Sequence, residues 1–71
     1  MVYINARATF IWWEKAANQG HLDAQFSVGL MCSKGLGVAK DDAKAVEWWK
    51  KAANQGHAIA KTKLSEIRAN A

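Results

Sequence analysis

Residues 12–21 read WWEKAANQGH, and residues 48–57 read WWKKAANQGH. Nine of these ten positions coincide at an offset of 36 residues, which chance does not produce in a chain of 71. A fixed period of roughly 20–50 residues marks stacked supersecondary units. Two helices of about a dozen residues and two short turns fill such a period, so the unit is a helical hairpin. The chain is therefore predicted to be all-α: a superhelix, or solenoid, of about two helical hairpins with four helices and a 36-residue repeat.

The punctuation supports this reading. The sequence has no proline and is rich in alanine, and its five glycines fall at a few places. Helices are expected over roughly 4–18, 22–34, 41–54 and 58–69. Gly20 and Gly56 follow the alanine–asparagine–glutamine runs, where a left-handed residue ends a helix at little steric cost. Gly35 and Gly37 break the chain after the second helix. Asp41 suits the N-cap of the third helix, and Asp42 in its first turn favours the helix dipole. Lys50 and Lys51 lie near the opposite end.

At about 100° per residue, the third helix sorts into two faces. Ala45, Val46, Trp48, Trp49, Ala52 and Ala53 share one arc. Lys44, Glu47, Lys50, Lys51 and Asn54 lie opposite, as in a half-buried helix. On the second helix Ala24, Val28, Gly29 and Cys32 lie on one side, Phe26 and Leu30 on the other. A narrow polar stripe of Asp23, Ser27 and Lys34 remains. A helix apolar on two sides is sandwiched between neighbours. One period later Phe26, Gly29, Leu30 and Cys32 become Thr62, Ser65, Glu66 and Arg68, leaving Ala60, Leu64 and Ile67 as a thin apolar stripe. The last helix is thus expected to cap the stack. The chain reads as one domain over 1–71: a partial repeat at 4–23, a full repeat at 24–59 and a C-terminal capping helix at 58–69.

The first helix repeats the third with a reversal. Ala8 and Ile11 replace Lys44 and Glu47. With Ile4 they form an apolar line on a face expected to be wet, and Tyr3 and Phe10 add apolar surface nearby. Either the chain is cut from a longer array or this face binds something. Self-association through Ile4, Ala8 and Ile11 is the simplest outcome, because a two-fold contact needs one self-complementary patch.

Ala24, Val28-Gly29, Cys32, Gly35-Leu36-Gly37-Val38, Asp41, Lys44-Ala45, Trp48-Trp49, Lys51-Ala52-Ala53, Gly56 and Ala60 together resemble the Sel-one-like repeat, a relative of the tetratricopeptide repeats. The resemblance covers one full repeat over about 24–59, the second half of a preceding one at 9–23 and the start of a following one at 60–71. It implies a right-handed superhelix whose members are adaptors that bind other proteins along a concave face. Bacterial members are often tied to secretion, host interaction or signalling. Some members were labelled penicillin-binding or β-lactam-hydrolysing, but no residues here would carry that activity. Two departures stand out. Cys32 occupies a place where the family often has tyrosine, and Thr9 replaces the alanine found at Ala45. Some members bridge the two helices of a repeat with paired cysteines; this chain resembles the disulfide-free branch.

The chemistry-bearing residues favour binding over catalysis. A single cysteine allows no internal disulfide and no cysteine-based zinc site. A chain this short has a modest core, so a partner is the remaining source of extra stability. Cys32 lies on an apolar arc without an adjacent base, which suits a buried inert thiol. His21 and His57 recur at one repeat position after a glycine. They lie in separate hairpins without an evident third ligand, so a turn or helix-start role outweighs metal binding. Trp48 and Trp49 fall on the apolar arc, so core packing outweighs stacking on a ligand, with indole N–H groups reaching a polar neighbour. The tryptophans and alanines are expected to wedge between the layers. The glycine-rich Gly35–Val38 loop lacks a phosphate-binding lysine and a preceding strand. No carboxylate pair suits acid–base work; Asp41 and Asp42 fit a helix start.

The net charge of +4 permits nucleic-acid binding without arguing for it. Lys61, Lys63 and Arg68 are the most basic cluster, and a solvated face is their default role. Apolar runs fall far short of the roughly 18–20 residues that cross a membrane. The N-terminus lacks the pattern of a signal peptide, and the lone cysteine fits a reducing compartment, which favours the cytoplasm. The expectation is a non-catalytic protein–protein interaction scaffold without cofactor or metal. Its candidate contact stripe is Asp23, Ser27 and Lys34, continued by Lys63 and Asn70. Its partner is another protein or peptide, or a second copy.

Overall fold

A computed structural model describes residues 5–69. Four helices run through them: α1 (Ala6–Asn18), α2 (Leu22–Lys34), α3 (Asp42–Asn54) and α4 (Ala58–Ala69). Each packs mainly against the next in the chain, as a stack of hairpins must. The molecule is elongated, 41 × 24 × 18 Å.

The helix ends follow from local chemistry. At the end of α1 the Gly20 N–H donates to the Ala17 carbonyl at 3.0 Å and the His21 N–H to the Ala16 carbonyl at 3.2 Å. The same pair of bonds closes α3, from Gly56 to Ala53 at 2.9 Å and from His57 to Ala52 at 3.0 Å. This is the Schellman closure, which needs a residue with positive φ after the C-cap; Gly20 and Gly56 supply it, at φ +94° and +97°. Asp41 caps α3 as expected, its side chain accepting the Lys44 N–H at 3.1 Å. The first helix starts later than predicted. Asn5 stands in extended geometry and accepts the Arg7 N–H at 2.8 Å, so its side chain outcompetes continued helix. Ile4 lies outside the described residues.

The core is built from small side chains. Ala17, Ala24, Val28, Cys32, Ala45, Ala52 and Ala60 are buried with Trp49. Alanine at the contacts lets helices approach closely, and Trp49 fills the space between them. Gly29 makes room for it. A Cβ at Gly29 would lie 2.6 Å from Trp49 Cδ1 and closer still to Nε1. The indole N–H donates to the Phe26 carbonyl at 3.3 Å, which satisfies the polar atom that burial would otherwise penalise.

Two sequence expectations need correction. The tryptophans do not all wedge between layers. Trp49 is 4% exposed, whereas Trp13 is 39% and Trp12 77% exposed. Trp48 is half-buried, with the Lys51 ammonium 4.6 Å from its ring centroid. Adjacent residues on a helix point about 100° apart, so one tryptophan of a pair enters the α2–α3 contact and the other lies at its margin. The polar residues of α2 are also more than an exposed stripe. Gln25 is buried; its Nε2 donates to the Ala17 carbonyl at 3.3 Å and its Oε1 accepts from Gln55 Nε2 at 3.2 Å. It ties the ends of α1 and α3 to α2.

Candidate functional site

Residues of α2 and α4 lie on either side of α3 along one face of the stack. His57 lies between the N-terminal ends of α2 and α4. Its Nδ1 accepts the Ala60 N–H at 3.1 Å and so caps α4. The ring proton therefore sits on Nε2, 3.4 Å from the Asp23 carboxylate on α2. The ring also stacks on Phe26, with centroids 5.0 Å apart and planes inclined by 17°. One histidine thus joins a helix start, a carboxylate and an aromatic ring. The helix-start role expected for this residue holds for His57. His21 precedes α2 in the equivalent place but makes no capping bond with its side chain.

Away from His57, α2, α3 and α4 line a cleft of about 350 Å³. Ala45, Val46 and Trp49 of α3 and Ile67 of α4 form its apolar part; Ser33, Asp42, Lys63 and Glu66 form its polar rim. Lys63 and Glu66 are paired across one helical turn at 3.8 Å. Ile67 remains 39% exposed because its side chain lines the cleft.

None of Asp23, Ser27 and Lys34 of the sequence-derived stripe lines this cleft. The Asp23 side chain is 94% exposed, with His57 Nε2 3.4 Å from its carboxylate. Ser27 is half-buried and Lys34 is exposed at the far end of α2, about 16 Å away at 1.5 Å rise per residue. Lys63 belongs to the cleft, and Asn70 lies outside the described residues. The Asp23–His57 link, Gln25 and the cleft were not foreseen. The repeat position singles out His57, but no sequence spacing brings Asp23 to it.

On α1, Ala8 is exposed and Ile11 is 45% exposed, next to Trp12 and Lys15 at a shallow surface pocket. Cys32 is 1% exposed. Burial raises its thiol above the ordinary value of 9.0; Lys44 opposes this and Asp41 and Glu14 add to it. A neutral buried thiol is a poor nucleophile. Among the described residues, no group of three His, Cys, Asp or Glu side chains could hold a metal ion. No described helix is long and apolar enough to cross a membrane.

Comparison with known proteins agrees with this architecture. The Sel1 repeat family model matches residues 2–21 and 22–57. No curated protein matches the chain. Among solved structures, a Sel1 repeat protein from the bacterium Oxalobacter formigenes is similar, with a TM-score of 0.89 and 44% identity over 93% of this chain. The chain spans 27% of that protein's length. The period, the paired helices and these matches agree: the chain belongs to the Sel1 repeat family.

Proposed function

We propose that this chain is a non-catalytic protein-interaction module whose contact surface is the face along which α2 and α4 flank α3. The observation that carries the reading is the cleft of about 350 Å³, which sets Val46 and Ile67 inside a rim of Asp42, Lys63 and Glu66. An apolar floor with a few charged groups fits a side chain anchored on a peptide or helix. Asp23, Ser27 and Lys34 extend the contact along α2. The Sel1 repeat family supports the general role, since its helical repeats are interaction modules. The reading is tested by affinity capture with the unaltered chain and with two variants, Asp23→Lys/Lys34→Glu and Ile67→Glu, each checked for helical content. Capture should fall with both. Equal capture by all three proteins would eliminate this face.

A second reading rests on α1. Ile11 and Trp12 are exposed side by side, at 45% and 77%. Together with Ile4 and Ala8 they would form a two-fold contact between copies. Sedimentation should then show a dimer that Ile11→Glu dissociates. A monomer at high concentration would refute the contact.

A further inference from the structure

The imidazole of His57 is enclosed in the turn between α3 and α4, with its side chain 11% exposed. Both ring nitrogens are committed. Nδ1 accepts the Ala60 N–H at 3.1 Å, and Nε2 lies 3.4 Å from the Asp23 carboxylate. An acceptor needs a lone pair, so this geometry belongs to the neutral ring with its proton on Nε2. Ala60 is a core residue, 0% exposed, and the bond fastens α4 where the helix enters the core. A second ring proton has one place to go. On Nδ1 it would set donor against donor at 3.1 Å. It would also put a positive charge at the positive end of the α4 dipole.

We propose that His57 is a pH-operated catch on the start of α4. The neutral imidazole closes it by accepting the Ala60 N–H. The imidazolium opens it: Nδ1 gives up Ala60, and the charged ring turns toward the Asp23 carboxylate. The backbone need not move, because the His57 N–H stays bonded to the Ala52 carbonyl at 3.0 Å. Asp23 is the charged group that α2 brings to the ring, and it makes the one ion pair of His57 among the described residues. His21, after α1, lines the same surface pocket as His57 and Asp23. On α4, Lys61 bonds to His57 through its backbone N–H and has an exposed side chain. None of these groups replaces the Nδ1 bond. His21 makes no capping bond with its own side chain, so it is no catch for α2. Lys63, Glu66 and Ile67 lie further along α4, so the catch stands or falls separately from the cleft.

The test follows the 71-residue chain by NMR from about pH 8 to about pH 5, the interval in which imidazole changes charge. The ring-nitrogen shifts of His57 report its protonation. Protection of the Ala60 amide against solvent exchange, corrected for the intrinsic effect of pH, should fall about fivefold, the equivalent of one lost cap. The fall should share its midpoint with the ring. Ala24, one period earlier, should keep its protection. His57→Asn caps without titrating and should hold Ala60 level across the range. Asp23→Asn should leave the fall in place, because the lost bond is that of Nδ1. Several outcomes would overturn the proposal. They are a ring that takes its second proton while Ala60 stays protected, a ring that stays neutral throughout, an equal fall at Ala24, or a His57→Asn variant whose Ala60 amide still responds.

Discussion

Gly29→Ala should destabilise this protein, although helix propensity alone predicts the opposite. Replacing a mid-helix glycine with alanine ordinarily gains about 1 kcal/mol. Here the new methyl would stand 2.6 Å from Trp49 Cδ1 and closer to Nε1. Forcing a methyl into a filled core costs about 1–3 kcal/mol. Displacing the indole also weakens its 3.3 Å bond to the Phe26 carbonyl, a loss of about 0.5–1.5 kcal/mol. The opposing terms leave a net loss of about 2 kcal/mol. For a domain of this size each kcal/mol shifts the melting temperature by about 4–8 °C, so a fall of about 8–16 °C is expected. Thermal and urea melts followed by circular dichroism measure it. The double variant isolates the cause: in a Trp49→Leu background the same Gly29→Ala change should stabilise. A single Gly29→Ala variant that melts higher than the parent would show that the indole does not occupy this site in solution.

Gly37→Ala should cost more than Gly20→Ala. Both glycines have positive φ, at +73° and +94°, but a Cβ on Gly37 would meet the backbone of Ala6 and stand 2.8 Å from the Arg7 nitrogen, while one on Gly20 meets nothing within 4 Å. The left-handed strain of about 1–2 kcal/mol is common to both, so equal melting shifts would contradict the packing of this loop on α1. His57→Ala should lose about 1 kcal/mol for the cap and about 0.5–1.5 kcal/mol for the ring stack, whereas His21→Ala should be near neutral; denaturant midpoints compare them. Burial raises the Cys32 thiol above 9.0, so the folded state holds its proton longer than the unfolded state does. Its contribution is complete below the unfolded value and is lost as pH rises from there through the raised folded value. Stability should therefore decline above about pH 9 in the parent and less steeply in Cys32→Val, and matching alkaline profiles would refute a buried neutral thiol.

Much of the fold was legible because it rests on local chemistry. Helix count, the glycine closures and the Asp41 cap follow from propensity, positive φ and side-chain bonding within a few residues. The delayed start of α1 was missed because Asn5 competes with the helix for its own backbone. The Asp23–His57 link and the burial of Gln25 were illegible for another reason. Each joins helices that periodicity describes one at a time.

The paired WWxKAANQGH segments separate the two levels most sharply. Sequence alone determined that each would be a helix ending at a glycine, because those bonds lie within the segment. It did not determine which tryptophan is buried. Trp13 and Trp49 have nearly the same neighbours in the chain, yet one is 39% and the other 4% exposed. Burial is settled by what another helix brings. Gly29 clears the space beside Trp49, and Phe26 supplies the ring and the carbonyl. Tertiary packing decided this because removing an indole from water requires a surface shaped to receive it, and that surface lies 20 to 23 residues earlier in the chain.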